Sequence, residues 1–393
     1  MISWGGVFML VVTLKPLALE QGWPRSVPSI AYALHFLGSG IGGIVMGAWL
    51  DRSGMAKPAL LGAVSICIGG VYASMLSTQW DIFIVYGLLM GLLGQATLFA
   101  PLTANITHWF AHRPGPAIGI LASGQNLAGI VWPPLLLHLA GDLGWRTVFF
   151  WYGIFALVSM LPLVAILRRR PPKAPAPAAP AVAAPLEGAI AAALPKRGLS
   201  PNRLQAILCC AFVGCCIAMS MPMGHIVAHV SDLGIDAARG AEMLSVMLAA
   251  GFLSRFFLVG FVSNRIGGLG ALFLFSSGQA AGLSVLAFVD GLTALYVASA
   301  FYGLAYSGVA PCYSVIARAY LPAAQMGRRI ATLMLFGATG MAIGGWSAGA
   351  IFDMTGSYTP AFLFGVAANL ANLAIVGGLI LYGRRGPLVA QPA

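Results

Sequence analysis

The sequence predicts an all-α membrane protein that is built from two related halves. Hydrophobic residues make up 59% of the 393-residue chain and charged residues only 8%, whereas soluble domains carry about 25% charged residues. A chain this apolar cannot cover its surface with polar groups, so lipid must be its solvent. A glycine-rich pattern that recurs after 213 residues indicates a duplication, because repeated helical bundles are common in membrane proteins.

The repeated pattern is a short turn that closes a long apolar stretch in each half. Its two copies match at four positions with one offset, and four further pairs of residues lie 212 positions apart. This register extends over most of the chain and indicates two halves with one fold. The matched pairs are Gly47/Gly260, Asp51/Asn264, Arg52/Arg265 and Gly54/Gly267, followed by Gly115/Gly327, Gly144/Gly356, Phe150/Phe362 and Gly153/Gly365.

Twelve apolar stretches are long enough to be transmembrane helices, which need about 20 apolar residues each. The first is unusual because it starts at Met1 and reaches Lys15 and Pro16 early. Two interpretations stay open, a helix that begins upstream of Met1 and a helix that is unusually short. The predicted spans are 1–19, 27–50, 58–76, 82–104, 117–139, 147–167, 204–227, 240–262, 268–288, 292–315, 330–352 and 358–381.

These spans predict an N-terminal six-helix half, residues 1–167, and a C-terminal six-helix half, residues 204–383. The segment 168–203 between them is basic at both ends and rich in proline and alanine. This composition predicts a flexible cytoplasmic tether, with a regulatory docking segment as the alternative. Residues 384–393 are predicted to form a cytoplasmic tail.

The placement of charge predicts the orientation. With both termini in the cytoplasm, the inner segments hold 16 of the 21 Lys and Arg residues and the outer segments hold four. Cytoplasmic loops of membrane proteins carry such an excess of Lys and Arg. The net charge of +11 therefore marks a face next to anionic lipid headgroups, and no nucleic-acid partner is needed to explain it.

The motifs resemble those of the major facilitator superfamily over essentially the whole chain. The turn after the second span is similar to that family's G-x-x-x-D-R-x-G signature, and the degenerate copy after the eighth span is also typical of it. The segments 22–26 (Gly-Trp-Pro-Arg-Ser), 223–227 and 351–358 resemble the monocarboxylate and oxalate–formate carrier branch. This resemblance implies alternating access by a rocking motion around a midplane site between the halves.

The signature turns are interpreted as gates. Asp51 can pair with a basic group or cap a helix in one conformation only, and such a contact biases the equilibrium between two states. Asn264 replaces the acid in the second copy, so a weaker latch is expected there. The alternative is a loop that only fixes topology. The predicted gating residues are Gly47, Asp51, Arg52, Gly54, Arg265 and Gly267.

Arg255 is the leading candidate for substrate binding. It lies inside the eighth span, and an arginine in hydrocarbon is costly unless it faces the bundle interior or a water-filled cavity. Its planar guanidinium can donate two parallel hydrogen bonds to a carboxylate, and Gly251 one turn earlier leaves space beside it. Carriers of the resembled branch bind the substrate carboxylate with an arginine in the eighth helix. The alternative is a side chain that reaches out to the inner surface.

Histidine is the remaining candidate for proton coupling. The resembled branch places an acid shortly before the arginine, but no Asp or Glu lies well inside any predicted span. His225 follows Pro222, where the seventh helix is expected to be broken, and broken helices line transport sites. Its alternative role is that of a hydrogen-bonded packing residue. His35 and His138 also fall in spans.

Other polar residues in the spans could line a cavity or bond helix to helix. Gln125, Asn126, Tyr302 and Tyr306 are the predicted further substrate contacts. Lys15 either attracts anions at the entrance or extends to the membrane surface. The remaining candidates of this kind are Gln95, Tyr313 and Asn369.

The sequence thus predicts a monomeric secondary transporter in a bacterial inner membrane. The expected substrate is a small organic anion, above all a monocarboxylate, with a proton or a counter-anion as the coupling ion. Phenylalanine- and methionine-rich spans leave an efflux carrier for amphipathic drug-like compounds as an alternative, and a non-transporting sensor as another. No phosphate-binding loop, metal-ligand spacing or nucleophile motif is recognisable, so neither an enzyme nor a cofactor is expected.

Overall fold

A computed structural model of the chain describes residues 1–109, 114–168, 199–322 and 325–385. These residues are almost entirely helical, and no β-strand occurs among them. Ten of their helical stretches are long and apolar enough to cross a membrane. The prediction of an all-α, multi-pass membrane protein is therefore confirmed.

The helices of the described residues follow one another through short turns. A 3₁₀ turn precedes the first helix, and π-helical segments connect α4 to α5 (Ile84–Gln95) and α9 to α10 (Ser254–Leu258). In chain order they are α1 (Gly5–Gln21), α2 (Ser26–Ser53), α3 (Ala56–Ala73), α4 (Gln79–Phe83), α5 (Ala96–Trp109), α6 (Pro114–Leu143), α7 (Trp145–Ile166), α8 (Pro201–Asp232), α9 (Ala237–Leu253), α10 (Val259–Phe288), α11 (Leu292–Tyr306), α12 (Val309–Tyr320), α13 (Met326–Thr355) and α14 (Thr359–Arg385).

The predicted spans map onto these helices with two differences. The eighth and ninth predicted spans lie in one continuous stretch of 52 residues, Ala237–Phe288, which is interrupted at Gly267 where the backbone leaves the helical region. The predicted fifth span lies within α6 and is not among the ten candidates. Most of the predicted tether, residues 169–198, lies outside the described residues.

The repeat is more evident in the backbone conformation than in the residue types. Six glycines of the described residues have positive φ, a conformation that other residues rarely adopt. They form three pairs under the same offset of 212 or 213: Gly22 with Gly234, Gly54 with Gly267, and Gly144 with Gly356. The sequence comparison had paired the second and third sets, and the first becomes visible only through the backbone.

The residues before and after the predicted tether pack against each other along three helix pairs. α2 lies along α13, α6 along α9 and α1 along α8. Small residues allow the first of these pairs to approach closely. The position of a β-carbon at Gly40 would be 3.1 Å from the Ala338 side chain, and at Gly345 it would overlap the Tyr32 ring.

We expect Gly267→Ala to destabilise the protein through the backbone alone. Gly267 has φ 74° and ψ 167°, a region that is essentially restricted to glycine and that costs other residues about 1–3 kcal/mol. Apart from the adjacent backbone, no described atom lies within 4 Å of the position of its added β-carbon, so no clash with a packed neighbour contributes. Thermal unfolding of the purified protein in detergent should show a lower midpoint.

Gly260→Ala is the matched control, because Gly260 is helical and its added β-carbon would likewise meet no described atom within 4 Å beyond its own helix backbone and chain neighbours. Alanine favours a helix by about 1 kcal/mol over glycine, so this variant should unfold at the wild-type midpoint or above it. Equal midpoints for the two variants would contradict the strain at Gly267.

Candidate functional site

Arg255 lies in the π-helical turn Ser254–Leu258 between α9 and α10. Single π turns inside longer helices are frequent at functional sites. The side chain is half-buried, and its Nε donates to the carbonyl of Ser307 at 3.3 Å. The hydroxyls of Ser254 and Ser307 also donate to backbone carbonyls across this junction, at 2.6 and 2.7 Å. The turn that carries Arg255 is therefore fixed against the junction of α11 and α12.

Tyr306 is an electrostatic neighbour of Arg255. Its side chain is only 2% exposed, and among the described residues its hydroxyl has no hydrogen-bond partner. A buried polar group left without a partner costs about 1–3 kcal/mol. The ring stacks on Tyr302 with centroids 5.5 Å apart. The hydroxyl of Tyr302, by contrast, donates to the Ala218 carbonyl at 2.9 Å, which favours a structural role for Tyr302.

Asn126 adds a second unsatisfied group from α6, the helix that packs against the Ser254–Leu258 turn. It is 1% exposed, and neither its Oδ1 nor its Nδ2 has a hydrogen-bond partner among the described residues. Its neighbour Gln125 is half-buried. A guanidinium, a phenol and a carboxamide thus lie on three elements, and the Ser254–Leu258 turn contacts the other two, α6 and α11. These groups include both hydrogen-bond donors and acceptors.

A second cluster, here called the Arg25 clamp, consists of Arg25, Asp232, Asp353 and Tyr358. The two Nη atoms of Arg25 donate to the two carboxylate oxygens of Asp232, with 2.8 Å between Nη2 and Oδ1. Nη1 also donates to the Tyr358 hydroxyl at 3.1 Å. The guanidinium lies 3.8 Å from the centre of the Phe352 ring. The clamp therefore ties the turn between α1 and α2 to the ends of α8 and α13.

Asp353 completes the clamp by accepting the backbone N–H groups of Arg25 and Ser26, each at 2.8 Å. Carboxylates are favourable at helix N-termini, and these two groups begin α2. Burial alone would lower the pKa of Arg25, but its bonds to Asp232 and Tyr358 raise this pKa above its ordinary value. Arg25 therefore stays charged in the clamp at any physiological pH.

His225 belongs to the surroundings of the clamp. Its Nε2 lies 2.9 Å from the Gly345 carbonyl and its Nδ1 lies 3.2 Å from the Tyr358 hydroxyl. Both ring nitrogens are therefore occupied by the protein itself, which leaves none free for a substrate. Contrary to the expectation of a helix break after Pro222, α8 is continuous from Pro201 to Asp232.

The other predicted residues have varied surroundings. Lys15 bonds to Ser231 and Asp232, at 2.9 and 2.8 Å, so it supports the clamp rather than extending to the membrane surface. Tyr313 and Asn369 are held in buried hydrogen bonds within the C-terminal helices. Polar atoms of His35 and Gln95 have no partner among the described residues, whereas His138 is exposed next to Asp142.

The gating residues are described in part. Gly54 and Gly267 have the same unusual backbone, with φ 77° and 74°. Gly47 is helical, and the Arg265 guanidinium lies 5.0 Å from the centre of the Phe261 ring. The side chains of Asp51 and Arg52 lie outside the part of the chain that the structure describes, so the predicted gate at these residues stays a prediction.

Sequence reasoning missed the Arg25 clamp although it had noted both of its motifs. Arg25 lies in segment 22–26 and Asp353 in segment 351–358, which resemble one carrier branch. They are 328 positions apart, and no periodicity connects them. The only available signal was that both motifs flank predicted outer ends of helices.

Comparisons with known proteins agree with this architecture. A family model described as the Major Facilitator Superfamily matches residues 1–293. Monocarboxylate transporter 13 of Rattus norvegicus is 24% identical over 383 residues, which cover 94% of this chain and 83% of the relative. The MFS-type transporter pynF of Aspergillus niger is 23% identical over 314 residues, covering 80% of this chain and 69% of the relative.

Solved structures show the same fold at low identity. The nucleoside transporter NupG (D323A mutant) has a TM-score of 0.73 and 13% identity, covering 96% of each chain. A bacterial homologue of the human lysosomal transporter Spinster, in an inward-facing and occupied conformation, has a TM-score of 0.69 and 15% identity. That match covers 100% of this chain and 97% of the other.

We expect Arg25→Ala to open the end of the bundle that the clamp closes. Losing charge-assisted bonds to Asp232 and Tyr358 should shift the ratio of open to closed molecules by about 2 kcal/mol, roughly 30-fold. Spin labels at Leu19→Cys and Met354→Cys, whose native side chains are 73% and 76% exposed, would report the distance across the clamp.

The matched control is Arg146→Ala. Arg146 also pairs with a carboxylate, Glu20, but both partners belong to residues 1–168. Its loss should leave the distance between the labels unchanged. Equal opening in the two variants would mean that the clamp does not hold this end closed.

The two stacked tyrosines should respond differently to removal of the hydroxyl. Tyr302→Phe breaks the bond to the Ala218 carbonyl and should lower the free energy of unfolding by about 1 kcal/mol. Tyr306→Phe removes a hydroxyl that has no hydrogen-bond partner in the described part of the chain, and it should leave this free energy unchanged or raise it. Denaturant unfolding in micelles measures both, and equal losses would contradict the distinction.

Proposed function

The chain belongs to the Major Facilitator Superfamily, and from this premise we propose that it is a secondary transporter of a small organic anion. Transport of some substrate across a membrane follows from the family. The anion is supported by one observation above all, the half-buried Arg255 in a π turn inside the bundle. An arginine in such a position suits a carboxylate, because its planar fork donates two parallel hydrogen bonds.

The neighbours of Arg255 support a ligand with a second polar group. The buried hydroxyl of Tyr306 and the carboxamide of Asn126 have no partners among the described residues, and a ligand that bonded to them would relieve their desolvation. In this proposal Arg255 binds the carboxylate, and Tyr306 and Asn126 with Gln125 bind the remainder. Tyr302 then supports the ring of Tyr306, and His225 acts outside the substrate site.

A monocarboxylate is the favoured substrate within this class. Both the resembled motifs and the similarity to monocarboxylate transporter 13 of Rattus norvegicus point to monocarboxylate transporters. The runner-up is efflux of amphipathic compounds, which is favoured by a buried aromatic group on α2. Tyr32 and Phe36 have ring centroids 4.9 Å apart, and Trp4 lies 6.3 Å from Phe36.

We also infer twelve transmembrane helices in two six-helix halves that are joined by the predicted tether. The three pairs of positive-φ glycines support the halves, and the break at Gly267 supports two helices within the stretch Ala237–Phe288. The excess of Lys and Arg in the predicted inner segments supports cytoplasmic termini. The resembled carrier branch and the Ala- and Arg-rich composition support a bacterial inner membrane. In that orientation the Arg25 clamp closes the outer face and the predicted gates lie inside.

Arg255→Ala should abolish most of the saturable uptake of short carboxylates into proteoliposomes. Loss of a charge-assisted bidentate contact costs about 1.5–3 kcal/mol, or roughly 10- to 100-fold in kcat/KM. Arg255→Lys should recover part of the activity, because it restores the charge without the fork. Radiolabelled lactate, pyruvate and formate are suitable probes.

Arg318→Ala is the control for charge, since Arg318 is exposed at the end of α12, and it should transport as wild type does. If Arg255→Ala took up carboxylates at the wild-type rate, Arg255 would not belong to the substrate site. The proposal that the protein is a transporter would still stand. Absence of carboxylate uptake in the wild type would move the proposal to amphipathic compounds, and absence of any flux would favour a sensor.

A further inference from the structure

Each hydrogen bond around His225 has a fixed donor and a fixed acceptor. The Gly345 carbonyl can only accept, so the hydrogen of His225 is on Nε2, 2.9 Å away. Arginine has no acceptor, so Arg25 donates to the Tyr358 oxygen at 3.1 Å. A tyrosine phenol is neutral at physiological pH, so Tyr358 keeps its hydrogen. That hydrogen points to Nδ1 of His225, 3.2 Å away, which therefore carries none.

A proton on Nδ1 would reverse the hydrogen bond between the Tyr358 hydroxyl and His225. Nδ1 would become a donor aimed at the Tyr358 oxygen, which already accepts from Arg25. The hydroxyl hydrogen would then lose its acceptor inside a buried cluster, and a buried donor without a partner costs about 1–3 kcal/mol. The geometry of the closed clamp consequently requires a neutral imidazole.

The charges near His225 leave little to balance an added proton. The charged groups that act on it are Arg25, which opposes the proton, and Asp353, which favours it. Asp353 is already bound to two N–H groups of α2. On α8 itself Asp232 is bound to Arg25 and to Lys15 of α1. His229 lies one turn away, where Asp232 and Asp290 act on it.

We propose that His225 is the proton-binding site that couples this transporter to pH, and that protonation of its Nδ1 releases the Arg25 clamp. The closed clamp excludes the proton and the open one accepts it, so acid on the clamp side favours opening. For a single proton the ratio of open to closed molecules changes at most tenfold per pH unit. A cavity of about 260 Å³ lies beside the clamp, and its lining is mainly apolar apart from Lys15 and Ser231.

This proposal rests on alternating access as part of the proposed function, but not on the identity of the substrate. Its test is therefore a distance measurement without substrate. The full chain carries spin labels at Leu19→Cys and Met354→Cys, with its native cysteines replaced by alanine, and is measured in lipid nanodiscs between pH 8 and pH 5. The open fraction should rise as the pH falls.

His225→Gln should remove this pH dependence, because a carboxamide can donate and accept but does not titrate in this range. The matched control is His138→Gln, which replaces an exposed histidine on α6 and should keep the wild-type response. The assignment of the proton-binding site to His225 would be wrong if His225→Gln kept the wild-type dependence of the open fraction on pH. It would also be wrong if His229→Gln lost this dependence and His225→Gln did not. A wild-type chain in which the ratio of open to closed molecules does not depend on pH would also overturn the assignment. Alternating access would still stand.

Tyr358→Phe provides a second test should His225→Gln fail to fold. It keeps the imidazole but removes the hydroxyl that must donate to Nδ1, so the closed clamp tolerates the proton better. The total change of the open fraction between pH 8 and pH 5 should be several-fold smaller than in the wild type. An unchanged response would contradict the role of the hydrogen-bond chain. Carboxylate uptake is measured in a separate experiment. It tests the substrate proposal independently of the proposal that His225 binds the proton.

Discussion

The close approach of α2 and α13 is the constraint on which the rest of the architecture depends. Gly345, Gly349 and Asp353 follow at intervals of four and therefore share one face of α13. A β-carbon at the two glycines would overlap Tyr32 and Ser29 of α2, so only glycine permits this separation. At that separation the carboxylate of Asp353 reaches the first N–H groups of α2. The Gly345 carbonyl on the same helix remains accessible to His225.

Polar groups in the helical core divide into a bonded set and an unbonded set. Tyr313, Asn369 and Asn372 are linked with Ser276 through hydrogen bonds of 2.9–3.1 Å that join α10, α12 and α14. Such bonds hold helices together where lipid offers no alternative partner. Tyr306 and Asn126 have no such bonds to any residue that the structure describes. This contrast separates scaffold from candidate site more sharply than residue type does, because tyrosines and asparagines occur in both sets.

Much of the fold was predictable because its signals are local or periodic. Long apolar runs predicted the helices, and glycines paired at offsets of 213 and 212 predicted two of the three pairs of positive-φ turns. Arg255 stood out because a charge inside an apolar run is rare. The π turn that carries it has no marker in the residues Ser254–Leu258 themselves, and its contacts with α6 and α11 are distant in sequence. The partners of His225 lie 120 and 133 positions away, beyond the reach of spacing.

The clamp lies at one end of the long helix α2, so a small rotation of this helix would produce a large displacement at the clamp. Gly40, where α2 touches Ala338 of α13, is 15 residues from Arg25 and therefore about 22 Å along the helix. With that contact as a fulcrum, a rotation of about 13° would move the clamp apart by about 5 Å, enough to break every hydrogen bond in it. The opposite arm, from Gly40 to Ser53, is about 20 Å long and would swing inward by a similar distance. Short-range bonds at the tip of a long, stiff lever can thus hold the whole bundle in one state and still be released by a small angular change.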